Sequence, residues 1–318
     1  MKKLTFSKEA AKKHMLQKRL KSQSAMEYLM TYGWAILIIA VVLGALFSMG
    51  FFNSASLAPK VQPGSCQVLR PYGPGTSAYV TLQGTCINEM PKFVAQFNGQ
   101  SSYISSTQQA PLNNLPDWTL TAWVNPSNGN IIYSEGNPLK TLQIFIDASR
   151  AINVDIWNIN RPNDNWLYLM SSAGAVTMNS WNFIAITMSG AGTSTGTVDF
   201  YANGHLISSS NTGQMELNSS THYFSIGDNI GSLYGGAQTP SFFNGSVADI
   251  QIYNASLSQS EVTALYRAGI GGDPINLQNL AAWWPLNGNA NDYSGNQNSG
   301  TNSNVIYTTG WTSSYSAP

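Results

Sequence analysis

Two isolated aspartates, three histidines, two cysteines and three tryptophans are the residues from which this 318-residue chain could build chemistry. Retaining glycoside hydrolysis needs two carboxyl groups about 5 Å apart, and no E-x-D-x-x-E run occurs. Asp147 in IFIDASR and Asp155 in NVDIW stand singly and read as strand-end or surface residues. His14, His205 and His222 are scattered, and no Ser/His/Asp order, cysteine nucleophile or phosphate-cradling glycine loop stands out. The expectation is a protein that is not an enzyme. Stacking on a ligand is a different chemistry. Trp123, Trp157 and Trp166 are the candidate ligand-binding residues, since Trp123 is out of phase with Trp118, Leu120, Ala122 and Val124. The competing reading of each is a core tryptophan.

The charge pattern says where such residues would work. Charged residues are 9% of the chain, against about 25% in an average soluble domain. That excludes charge-driven disorder and a basic nucleic-acid-binding face. Residues 1–22 hold eight of the 15 Lys and Arg and only one acid, Glu9. After Glu27 the next charge is Lys60, and the intervening WAILIIAVVLGALF, extended to Phe52, reaches the ~20 apolar residues that span a bilayer. The basic leader keeps the N-terminus cytoplasmic and sends the rest outside. The predicted location is the cell surface or a surface filament, inserted in the membrane by the N-terminal helix.

The segment KSQSAMEYLMTYGWAILIIAVVLGAL resembles an archaeal class III signal peptide of the type IV pilin-like kind. The resemblance implies a prepilin-type signal peptidase that cuts between Ser22 and Gln23, removing leader 1–22 and leaving a hydrophobic assembly helix at 23–52. Glu27 would then be the fifth residue of the mature chain, where its carboxylate could neutralise the new amine of a neighbouring copy and favour one register. Ala40 and Gly44 permit close helix approach. The partners implied are other copies of the chain or other pilin-like subunits. A plain signal anchor is the alternative.

Residues 53–65 read as a linker. Residues 66–92 read as a hairpin-like unit flanked by Cys66 and Cys86, most simply a disulfide outside the cell; free thiols or a metal pair are the rival reading. From Phe93 to about Tyr253 the pattern has period two: WTLTAWV, TLQIFID, INVDIW, WNFIAITM, VDFYANG, YFSIG and VADIQIY are separated by Asn, Gly, Ser and Pro. Strand after strand without helices predicts two packed antiparallel sheets. Asn203-Gly204 predicts a two-residue hairpin turn. Ser258 and Glu261 predict a capping box, with Leu257 stapled to Val262, opening one helix that stops at Gly269. Asn218, Asn244 and Asn254 open glycosylation sequons.

The runs FNGQSSYI, DWTLTAWV, WNFIAIT, DFYANG and FNGSVADIQIYNASLSQSEVTALY together resemble a laminin-G or concanavalin A-like jelly-roll domain, placed at 93–318. The resemblance implies a glycan or surface-protein ligand and a structural calcium, for which Asn98, Asp228 and Asp249 offer side-chain oxygens; turn-capping and solvent-facing roles are the alternative. LAAWWPLNGNANDYSGNQNSGT, at 280–301, resembles the segment that opens many such domains, yet here it comes last. Residues 280–311 are therefore expected to fold back as a completing strand in a permuted jelly roll; a truncated second copy is the other reading. The whole predicts a pilin-like filament subunit or adhesin displaying a lectin-like head. The alternative is a monomeric anchored protein whose head binds or hydrolyses glycans.

Overall fold

The structure, a computed structural model, describes residues 30, 32–43, 66–67, 83–84, 91–108, 110–112, 114–137, 139–157, 166–213, 223–229, 241–309, 311–316 and 318. The chain divides into two compact units, Met1–Pro59 and Lys60–Pro318.

In the first unit residues 32–43 form helix α1. Its residues are apolar all round, and Trp34, Ile36, Ile38 and Val41 are each more than half exposed. Valine and isoleucine are only middling helix formers in water, but a helix satisfies its own backbone wherever the surroundings cannot. Among the described residues no helix is long and apolar enough to cross a membrane. The remainder of the expected 23–52 helix, with Ser22, Gln23 and Glu27, lies outside the described residues.

The second unit begins with two short strands, β1 (Cys66–Gln67) and β2 (Gln83–Gly84), paired antiparallel with Cys66 opposite Gly84. The side chain of Cys66 and the whole of Cys86 lie outside the described residues. Next come β3 (Val94–Asn98), β4 (Tyr103–Ser106), β5 (Trp118–Asn128), β6 (Asn130–Asn137), β7 (Leu139–Ile146), β8 (Ile152–Trp157) and β9 (Trp166–Met170). They are followed by β10 (Asn182–Ser189), β11 (Thr197–Ala202), β12 (His205–Asn211), β13 (Tyr223–Ile226), β14 (Asn244–Tyr253), helix α2 (Gln259–Ala268), β15 (Leu280–Trp284), β16 (Thr301–Ser303) and β17 (Ile306–Thr308).

Two antiparallel sheets result. One runs β12-β11-β10-β5-β14-β3-β17 with β15 also on β14, and the other runs β16-β4-β13-β6-β7-β8-β9. The alternate residues Leu120, Ala122 and Val124 of β5 and Ile144, Ile146, Val154 and Ile226 of the second sheet meet in one core. Two packed sheets with alternating inward residues make a sandwich. The β11–β12 turn places Asn203 at φ 49° and Gly204 at φ 76°, the pair of positive angles a tight hairpin needs. A Cβ on Gly204 would meet the Tyr266 ring at 2.7 Å, so this glycine also admits α2.

The segment after α2 joins both sheets. β15 pairs with β14, β16 with β4 and β17 with β3. β3 lies against β14 at Asn244–Val247 and β15 against Ile250–Tyr253, so two strands from distant parts of the chain share one side of β14. The changeover falls at Asp249, which sits at φ 50° in a bulge where the register with β5 shifts.

Candidate functional site

The two sheets finish their outer faces differently. On the eight-stranded sheet the residues between the inward ones are Trp123, Phe183, Ala185, Tyr201, Ala248 and Trp283, and these form a second core with Leu257, Val262 and Leu265 at α2 and with Trp311. Helix α2 is fixed there by its capping box. The Ser258 backbone N–H donates to Glu261 Oε2 at 2.8 Å, and Leu257 and Val262 are both buried. This outer face is therefore a structural interior.

The seven-stranded sheet is the other case. Register aligns one outward residue from each strand: Thr301, Ser105, Ser225, Ser134, Gln143, Asp155 and Tyr168. The row crosses all seven strands, β16 to β9, and every side chain in it can donate or accept a hydrogen bond. Its ends, Thr301 and Tyr168, are exposed; Ser105 and Asp155 are half-buried; Ser225, Ser134 and Gln143 in the middle are buried. The row is thus open at its two ends and covered at its middle. Ser134 Oγ donates to the Asp228 carbonyl at 2.8 Å. Ser225 Oγ and Gln143 Nε2 are buried with no hydrogen-bond partner. Such groups are costly when left unpaired. Beside the row, edge strand β9 carries Trp166, Tyr168 and Met170 on the same face, with Tyr168 and Met170 53% and 54% exposed. Toward the other side Tyr103 stacks on Phe242 with ring centroids 6.5 Å apart.

The sequence candidates fall at different places in this frame. Trp123 does face outward, as its phase indicated, but it is 2% exposed. It packs against Phe183, Tyr266 and Tyr315 at ring distances of 5.5, 5.9 and 5.4 Å. The expectation that it stacks on a ligand is corrected: α2 and the C-terminal segment cover it. Trp166 lies half-buried on the open face. Trp157 pairs with it through the backbone, and its side chain lies outside the described residues. Asp147 accepts from the Ala151 N–H and Ser149 Oγ within the β7–β8 turn. Asp155, read from sequence as a lone surface acid, is a member of the row.

The three proposed calcium ligands do not form one site. Asn98 Oδ1 accepts from the backbone N–H groups of Gln100, Ser101 and Ser102, the turn-capping alternative. Asp228 Oδ1 accepts from the Ser241 N–H at 3.0 Å. Asp249 lies five residues along β14 from Asn244, the strand partner of Asn98, a separation of about 17 Å. It is buried, not solvent-facing. Trp283 Nε1 donates to its Oδ1 at 2.7 Å and Gln251 Nε2 to its Oδ2 at 3.0 Å. Among the described residues no cluster of three or more His, Cys, Asp or Glu occurs.

Two buried carboxyl groups lie away from this row. Burial pushes Asp249 up to about 7, with the Asp273 charge adding to the rise and the Gln251 and Trp283 bonds opposing it. Glu135 points into the core between the sheets, where Tyr133 Oη donates to it at 2.5 Å and Leu112 N–H at 2.9 Å. Burial raises it also to about 7. Among the sequons Asn254 is exposed, Asn244 is half-buried in a strand flanked by β3 and β5, and Asn218 lies outside the described residues.

No curated protein sequence matches the chain. Among solved structures it is similar to a candidate carbohydrate-binding protein from Bacteroides ovatus, at 17% identity and TM-score 0.49, over 69% of this chain and 60% of that one. It is also similar to a heptameric SAP-like pentraxin from Limulus polyphemus, at 17% identity and TM-score 0.41, over 58% of this chain and 85% of that one. A third likeness is to the CBM40 of a Ruminococcus gnavus sialidase bound to α2,6-sialyllactose, at 16% identity and TM-score 0.40, over 55% and 98%. At these identities and scores none of them assigns a ligand or an activity. The family profile described as the concanavalin A-like lectin/glucanases superfamily, in its laminin-G form, matches residues 98–263, more than half of the chain, and the chain belongs to that family.

Proposed function

We propose that this is a cell-surface protein whose head binds carbohydrate at the open β9 edge of the seven-stranded sheet. The observation that carries the reading is edge strand β9, where Tyr168 and Met170 are more than half exposed beside half-buried Trp166. Sugars offer an apolar ring face that stacks on aromatics such as Tyr168 and Trp166, and hydroxyls that both donate and accept. Binding is favoured over hydrolysis because a retaining site needs two carboxyl groups about 5 Å apart, and the described part of the row presents Asp155 alone. A structural calcium is not part of the reading.

The N-terminal helix supports the display half of the proposal. An apolar surface as continuous as that of α1 marks a membrane or protein contact, and the leader and Glu27 motif favour assembly with other copies after cleavage before Gln23. The test is a glycan array probed with the full chain in detergent, alongside N-terminal sequencing of protein from surface fractions. Binding to at least one glycan and a first residue of Gln23 support the two halves. A blank array removes the first, and recovery from Met1 removes the second.

A further inference from the structure

Two of the three asparagine sequons lie among the described residues, and the fold treats them in opposite ways. The inference rests on the head lying outside the cell, as proposed above, and not on what the head binds. Asn254-Ala255-Ser256 occupies the bend between β14 and α2. The backbone of this bend is pinned along its length. The Asn254 N–H donates to the Asn279 carbonyl at 2.8 Å, and the Ala255 carbonyl accepts from Thr119 Oγ1, also at 2.8 Å. Thr119 Oγ1 in turn accepts from the Leu257 N–H at 2.9 Å. All these bonds engage main-chain groups of the bend, and Asn254 and Ser256 are both exposed. A sequon in a surface loop is where a bulky sugar can be attached and carried.

Asn244-Gly245-Ser246 is built into β14 instead. Asn244 pairs with Asn98 of β3 on one side and with Asn128 of β5 on the other. Its side chain lies against Gly99, where a Cβ would meet Asn244 Cβ at 2.8 Å and Nδ2 at 3.3 Å. Gly245 is held as closely, since a Cβ there would run into the Asn125 carbonyl oxygen. A sequon locked between two strands cannot bend toward an enzyme once the sheet has formed. A sugar attached earlier, at Nδ2, would have to displace Gly99 before β14 could pair with β3. Either order of events leaves Asn244 bare in the finished protein. At Asn254 both orders are tolerated, because the bend keeps its main-chain bonds and the sugar extends from an exposed residue.

We propose that Asn254 carries an N-linked glycan and that Asn244 does not. In the reaction Asn254 Nδ2 bonds to the anomeric carbon of an oligosaccharide carried on a polyprenyl phosphate. The bond between that carbon and the phosphate oxygen breaks, the lipid phosphate leaves with the electron pair, and Nδ2 gives up one proton. Nothing is oxidised or reduced. Asn254 follows the end of β14 in the eight-stranded sheet, whereas β9 ends the order of the other sheet, so the attached sugar and the proposed ligand edge belong to different sheets.

The experiment takes the protein from surface fractions of the cells that make it, digests it with chymotrypsin and reads the peptides by mass spectrometry. Cuts after Phe243, Tyr253 and Tyr266 put Asn244 and Asn254 on different peptides. The expected result is added sugar mass on the Asn254 peptide and the bare mass for the Asn244 peptide. Asn254→Gln and Ser256→Ala should each abolish the addition, and Ser256→Thr, which keeps the hydroxyl, should retain it. Surface protein whose Asn254 peptide has the bare mass would overturn the inference and leave display standing. Sugar on Asn244 would overturn the selection argued from the strand. If the protein is absent from surface fractions, the display reading itself falls, and the inference with it.

Discussion

On the outer face of the eight-stranded sheet stand Trp123, Phe183, Tyr201 and Trp283; the corresponding layer of the seven-stranded sheet carries Ser105, Ser225, Ser134 and Gln143. Both sets alternate with inward residues of the same core. The aromatic set, at about 150–250 Å² per side chain, would leave a patch large enough to drive association, so it holds a third layer of α2 and the C-terminal segment. The hydroxyl and amide set makes no such demand, and the ends of its face, at Thr301 and Tyr168, stay open. Strand alternation thus decides which face a side chain takes, but only the composition of the whole face decides whether that face becomes interior or site.

The comparison breaks first at Trp283. Trp283→Ala removes a fully buried ring and the N–H donor to Asp249. The expected loss is about 3–5 kcal/mol, read as a lower denaturation midpoint of the full chain. Unchanged stability would mean the third layer does not hold the sheet.

The next largest effect is a dependence on pH. Asp249 and Glu135 each have a native pKa of about 7, above the ordinary carboxyl range. The native state therefore binds these protons more tightly than the unfolded chain. Their contribution is complete below about pH 4 and is lost as pH rises through 7. The loss is on the order of a few kcal/mol for each group. Asp249→Asn, which keeps an acceptor for Trp283, should flatten that decline between pH 4 and 7 and leave the Glu135 share, which Glu135→Gln should remove. A decline of stability with pH that is identical in Asp249→Asn and the parent would exclude a buried acid beneath the third layer.

Ser258→Ala tests how firmly the covering helix is held. Loss of the capping side chain should cost about 1 kcal/mol, measured by the same denaturation. An effect near zero would assign the helix's stability to Leu257, Val262 and Leu265 alone.

The smallest stability effect belongs to the open face. Tyr168→Ala should change stability by less than about 0.5 kcal/mol while weakening glycan binding. A large stability loss there would make the second face structural as well and erase the contrast.

Much of the fold could be read in the chain, because its signals are local. WTLTAWV, WNFIAITM and VADIQIY became β5, β10 and β14, and Asn203-Gly204 and Ser258/Glu261 mark the turn and cap that were read from them. Trp123 shows where locality ends: its phase gave the correct face, but the cover comes from Tyr266 and Tyr315, far along the chain. The polar row was less legible still. Ser105, Ser225, Ser134 and Gln143 are each a single polar residue between apolar neighbours. Only register, set by pairings among β4, β13, β6 and β7, brings them into one row. Of the two readings of Asp249, the solvent-facing alternative fails, because nothing local reveals that Trp283 will donate to it in a buried site.

The pairing of β17 with β3, and the Trp311 N–H donated to the Pro91 carbonyl 220 positions earlier, set a timetable for folding. At ~5–20 residues per second of synthesis, the first of these partners waits on the order of ten seconds or more for the second. Until then one edge of β3 and half of β14 stay open, and closure across so long a stretch is intrinsically slow. Such a head stays unfinished, and threadable through a narrow pore, until nearly all of it has been made. That delay would suit a domain delivered across a membrane before it folds, the order of events that the proposed display requires.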